Sequence, residues 1–236
     1  MKNTYKFLIL LFFSVVIFLL TFMKAPNELL QSLYTVALQT KHLALIMHGV
    51  FFIFLFIGLS VKRTRRFLFS ALLIILSGTA LFISLKYKII PNLLMFGIIF
   101  VLSLYAIIKK KISFDISETG VLGKITGFIS LVAGFYYLHW VQAPIWKNAL
   151  LYSPLGIINC PTLVTISGLL IFLKKPGSVF LEFFTGFMTL YFGFFGIMRL
   201  SVYIDVALVV SGVYILARVA SNLDNTMFYK KSGTLQ

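Results

Sequence analysis

Acidic residues are what this sequence has least of. Only 6 Asp+Glu stand against 21 Lys+Arg in 236 residues, and charged residues of both signs make up 11% of the chain. A soluble domain of this length carries roughly 25% charge. It also leaves too much surface in water to hide a chain that is 60% hydrophobic. So few carboxylates leave little from which to build a Mg²⁺ site for lipid-phosphate chemistry. The one cysteine, Cys160, excludes an intrachain disulfide and thiol-pair redox chemistry. No HExxH, G-x-S-x-G or phosphate loop is present. No catalytic residue, metal site or cofactor is therefore expected, and enzyme chemistry is a minor reading.

What the chain has is long apolar runs. Crossing the hydrocarbon of a bilayer takes ~20 mostly apolar residues in a helix. Eight stretches qualify: Lys6–Phe22, Leu43–Val61, Phe67–Leu85, Ile89–Ile108, Val121–Leu138, Ala149–Leu173, Ser178–Met198 and Ser201–Ala217. Barrel strands would alternate in polarity, and these runs do not. The expected fold is an all-α polytopic transmembrane helix bundle of about eight spans, residues 1–236 forming a single integral membrane domain. The first run resembles a signal peptide but is read as retained, because it exceeds the usual h-region and Met23-Lys24-Ala25-Pro26 offers no small-x-small cleavage site.

The cations fall in short runs between the apolar stretches, such as Lys62-Arg63-Thr64-Arg65-Arg66 and Lys109-Lys110-Lys111. That is the positive-inside pattern, and nucleic acid is not an expected partner. With eight spans, 15 of the 21 Lys+Arg lie on the side of the N-terminus. Both termini are then cytoplasmic in a bacterial plasma membrane, with residues 219–236 as a cytoplasmic tail. A seven-span arrangement ranks second. The longest outer loop, 23–42, starts a helix at Pro26-Asn27-Glu28 and places Leu29, Leu30, Leu33, Tyr34 and Ala37 at helical spacing, as in a short amphipathic helix.

The sixth stretch is irregular: Leu151-Tyr152-Ser153-Pro154-Leu155-Gly156-Ile157-Ile158-Asn159-Cys160-Pro161-Thr162. Two prolines, a glycine and an asparagine are poor helix interior. Asn159 or Cys160 before Pro161 reads as a helix start. The span is therefore broken, and a half-length helix from Pro161 to Leu173 points free N–H groups and the positive end of its dipole into the outer half of the membrane. Leu151–Asn159 is then a re-entrant element or the wall of an outward-facing cavity, since non-helical backbone at depth needs protein or water beside it.

The pattern Tyr152-x-Pro154-x-Gly156-x-x-x-Cys160-Pro161-Thr162, followed by Gly168-Leu169-Leu170, resembles a signature in a family of uncharacterised bacterial multi-spanning proteins of similar length, some labelled permeases. The resemblance covers mainly residues 150–175. It implies the fold and the broken sixth helix, and no reaction. The Cys160-Pro161 pair is also similar to the metal site of copper- and zinc-pumping ATPases, but one thiolate without a Cys-x-x-Cys or an ATPase domain leaves the small-hydrophobe role as the stronger one.

His48, Asn92, His139, Asn159, Cys160, Thr162, Arg199 and Asp205 all come out on the outer half. If they converge, they line a polar pocket for a small anionic or zwitterionic solute. The alternative is that they sit at separate helix ends, Arg199 meeting Asp205 locally. Lys124 and Glu182 lie at similar depth in the fifth and seventh spans and are read as an intramembrane ion pair. Gly123, Gly127 and Gly134 line one face of the fifth span, and Gly186, Gly193 and Gly196 one face of the seventh. Each face allows close helix packing, against the other or a neighbour, or a homodimer seam. The leading function is a small-solute permease. The alternatives are a non-catalytic membrane subunit binding a partner, or a membrane enzyme acting on a lipid-linked substrate.

Overall fold

In a computed structural model of the protein, residues 2–137, 148, 151–174 and 178–232 are described. They form α1 (Lys2–Phe22), α2 (Pro26–Gln39), α3 (Lys41–Ser60), α4 (Lys62–Lys86), α5 (Ile90–Ile108), α6 (Val121–Ala133), α7 (Asn159–Ile171), α8 (Val179–Leu200) and α9 (Val206–Ser232). A 3-10 turn, Tyr203–Asp205, precedes α9. Among the described residues there is no sheet, only one antiparallel bridge between Phe114 and Leu173. The fold is an all-α bundle. α1, α3, α4, α5, α8 and the Tyr203–Asn222 segment are long and apolar enough to cross a membrane. Leu8, Phe12, Phe56, Phe67 and Met198 lie on the outside, while Ser77, Thr165, Thr189, Glu182, Asp205 and Arg218 are turned inward, the polarity expected when the solvent is lipid.

The count of eight full spans is not what the helices show. α6 and α7 have 13 residues each, or ~20 Å at 1.5 Å per residue, which is short of a full crossing. α6 ends at Ala133 rather than continuing to Leu138, the chain turning through Gly134 and Phe135.

α7 occupies the centre, with α4, α6, α8 and α9 packed around it. All of its residues are buried, as expected of a helix apolar on every side. Its hydroxyls are satisfied inside the bundle: Thr165 donates to the Pro161 carbonyl at 2.9 Å, and the Ser167 and Thr189 hydroxyls meet at 2.7 Å. Gly168 brings α7 so close to α6 that a Cβ there would lie 2.9 Å from the Gly127 carbonyl oxygen.

The two glycine faces do not meet each other. Gly127 is filled by Phe172, Gly134 by Thr165 and Pro161, and Gly123 by Tyr214. Gly186 faces Ile215, Gly193 faces Val209, and Gly196 faces the Asp205 carboxylate. Both faces that could have formed a homodimer seam are thus occupied within the chain.

α8 stops at Ser201, which adopts the left-handed conformation (φ 55°), and the Val202 N–H returns to the Gly196 carbonyl at 2.9 Å. This turn is what delivers Asp205 onto Gly196. α2 starts on Pro26 and buries Leu33, Val36 and Ala37 against the bundle.

Candidate functional site

The broken segment before α7 is held by side chains. Pro154 to Ile158 are all buried, so each free backbone group there needs a partner. His48 donates from Nε2 to the Ser153 carbonyl at 2.7 Å, Ser153 Oγ donates to the Gly134 carbonyl at 2.6 Å, and the Gly156 N–H donates to Thr162 Oγ1 at 2.9 Å. Gly156 has φ +75°, a conformation glycine adopts without penalty. His48 and Thr162, two of the expected ligand-binding residues, therefore secure the turn that launches α7.

α7 begins without a side-chain cap. Pro161 has no N–H, and the Thr162 N–H returns to Ile158. Among the described residues, no backbone carbonyl meets the Asn159 and Cys160 N–H groups, the first-turn donors a helix leaves open. A cavity of about 30 Å³ lies against this end, lined by Asn92, Asn159 and Cys160 together with Thr21, Lys24 and Ser32. Asn92 is 4% exposed and Asn159 is 7% exposed. Asn159 Oδ1 has no hydrogen-bond partner in the protein. Buried polar atoms are nearly always paired, so this orphan, in a side chain that lines the cavity, is an exception.

Behind Cys160 lies Asp205, fully buried. Its Oδ1 accepts from the Tyr137 hydroxyl at 2.6 Å, and its Oδ2 accepts from Cys160 Sγ at 3.7 Å. Cys160 therefore stands between the cavity and a buried carboxylate. Among the described residues no cation meets Asp205.

The expected local contact of Arg199 with Asp205 is not formed. Arg199 Nη2 donates to the carbonyls of Phe22 at 3.2 Å and Lys24 at 3.1 Å, and its guanidinium lies 4.4 Å from the centre of the Phe22 ring. The Val202–Ile204 turn carries Asp205 inward while Arg199 stays at the α8 surface. His139 lies outside the described residues. The structure thus brings Asn92, Asn159 and Cys160 to one cavity with Asp205 directly behind them. It leaves His48, Thr162 and Arg199 in supporting positions.

The ion pair of Glu182 is made with Arg218, not with Lys124. Arg218 donates from Nη2 and Nε to Glu182 Oε2 at 2.7 and 3.0 Å. It also donates to the Leu170 and Ile171 carbonyls at 2.6 and 2.7 Å. Lys124 is half-buried on α6, which packs on α7 and α9, whereas Glu182 points from α8 into the space that Arg218 enters. Arg218 thereby closes the C-terminal end of α7, where the dipole favours a cation. A second cavity, about 230 Å³, lies at this end between Arg218, Tyr214, Asp115, Glu118 and Lys174. The Ser117 hydroxyl and N–H hold the Asp115 carboxyl below its usual value, and Glu118 raises the Lys174 ammonium above its own.

Tyr137, Ser153 and Arg218 were not foreseen as parts of this arrangement. Arg218 was legible only as a cation just past the end of the Ser201–Ala217 run. No family model, curated protein or solved structure matches the chain.

Proposed function

We propose that the protein is a small-solute permease of a bacterial plasma membrane, with cytoplasmic termini, that takes an anionic or zwitterionic solute at the N-terminal end of α7. The observation that carries this reading is the buried Asn159, whose amide oxygen has no partner and whose side chain lines the same cavity as Asn92. An unmet buried polar group costs ~1–3 kcal/mol, which a solute in the cavity would relieve. The α7 N–H groups and Lys24 favour negative charge there, and amide groups suit either end of a zwitterion. The second cavity at the far end of the same helix supports a path along α7. A half-length helix bounded by irregular backbone is also how many transporters build a binding site near the midplane. At about 30 Å³ the Asn159 cavity admits a water or a small ion. A larger solute enters only if α1 or α2, which close it, moves aside.

Cys160, the sole thiol, tests this. In intact cells a small membrane-impermeant thiol reagent should label it from outside, and Asn159→Trp should suppress the reaction by filling the cavity. Purified protein in liposomes should take up labelled chloride, formate or glycine, and Asn159→Leu should abolish that uptake. Labelling only after denaturation, with no uptake of any of the three, would overturn the reading.

A further inference from the structure

A separate feature lies on the lipid side of the bundle, between α1 and α8. Two adjoining hollows of about 280 and 390 Å³ share Phe18, Tyr191 and Phe194. Together they form one groove, which runs from Ser14 and Phe187 to Met198 and Arg199. From Phe187 to Arg199 the groove follows α8 for ~18 Å at 1.5 Å per residue, which matches the acyl region of one leaflet. Its walls are apolar along this length. Its mouth is not: Arg199 sits there, held flat against Phe22 and Phe195 and tied through Nη2 to the ends of α1. A guanidinium carries five donors. The protein supplies two acceptors to Nη2, and Nε is buried, which leaves Nη1 to meet a ligand. The exposed Lys24 adjoins the same mouth.

An apolar slot one leaflet deep with a positive mouth is complementary to one kind of molecule. We infer that the α1–α8 groove holds one acyl chain of an anionic phospholipid, its phosphate on Arg199 and Lys24. Arg199 is suited to this because its charged Nη1 can donate to a phosphate oxygen and the two neighbouring rings hold the guanidinium in place. The inference does not rest on the proposed transport, although Lys24 and Phe195 also line the Asn159 cavity. It explains why an arginine at the end of a lipid-facing helix is braced by carbonyls and rings instead of extending into water.

The test uses the full chain reconstituted in phosphatidylcholine vesicles with spin-labelled phosphatidylglycerol or phosphatidylcholine. The immobilised fraction of each lipid is read by electron paramagnetic resonance. Arg199→Gln should lower the preference for phosphatidylglycerol about fivefold, the discrimination expected of one basic residue at a membrane surface. Val15→Trp, which fills the groove from α1, should remove one immobilised lipid, and in that background Arg199→Gln should have no further effect. Arg199→Lys should keep most of the preference, which separates lost charge from lost folding. An equal fall in both backgrounds would mean that Arg199 acts as a bare surface charge with no chain in the groove. No fall in either would mean that phosphate is not bound there. Either result overturns the inference.

Discussion

The short helix α7 has a buried carboxylate at each end, and the two are treated differently. At the C-terminal end Glu182 faces Arg218, and the arginine also takes up the Leu170 and Ile171 carbonyls. Charge, dipole and backbone are all answered there. At the N-terminal end Asp205 meets a tyrosine and a thiol but no described cation, and the neighbouring Asn159 oxygen is unpaired. The first end is closed in the way a structural anchor is closed. The second is left incomplete, the difference on which the proposed binding site rests.

The largest effect should come from breaking the anchor. Arg218→Met strands Glu182 and releases two helix carbonyls, and should cost about 3–5 kcal/mol of stability in detergent unfolding. Adding Glu182→Met should recover much of that loss. The contrast sharpens with amides: Glu182→Gln leaves a buried guanidinium unmatched, whereas Asp205→Asn strands no described cation. Asp205→Asn should therefore destabilise less. The reverse order would show that Asp205 is the true anchor.

Gly196→Ala should come next, at about 1–3 kcal/mol, because its methyl group would occupy the space of the Asp205 carboxylate. In an Asp205→Ala background the same change should be nearly neutral. Equal cost in both backgrounds would separate the glycine from the site. Asn159→Ala should change stability by under ~1 kcal/mol, since removing an unpaired polar atom strands no partner, while abolishing solute uptake. A large loss of stability would place Asn159 in the scaffold.

The smallest effect concerns the loop at the anchored end. Asp115 is ionised more readily than usual because Ser117 bonds its charged form. Its contribution is thus complete above the ordinary carboxylate value and is lost as pH falls through the lowered one. Ser117→Ala should make the protein slightly less stable at neutral pH and less acid-sensitive, with the melting curves converging as pH falls through about 4. A difference that persists well below that pH would point to a role for Ser117 other than its bond to Asp115.

The apolar runs made the membrane fold legible, because a period-free stretch of Phe, Leu and Ile has no other solvent. Pro154, Gly156 and Pro161 announced the break before α7, since neither proline can sit in a continuous helix without losing a backbone bond. Partners were not legible. Lys124 and Arg218 are both cations near the same end of the bundle, and only the choice of which helix packs beside α8 decides between them. Tyr137 follows the end of α6 and reaches Asp205 across 68 positions of sequence. Such a contact has no local signal.

The sequence by itself determined that this chain dissolves in a bilayer, where its helices lie, and that one of them is cut short, because hydropathy and proline act on neighbouring residues. Which carboxylate meets a cation and which meets a tyrosine and a thiol was decided by tertiary structure alone. α7 is buried on every side, so the fate of its two ends depends on which side chains the surrounding helices carry to them.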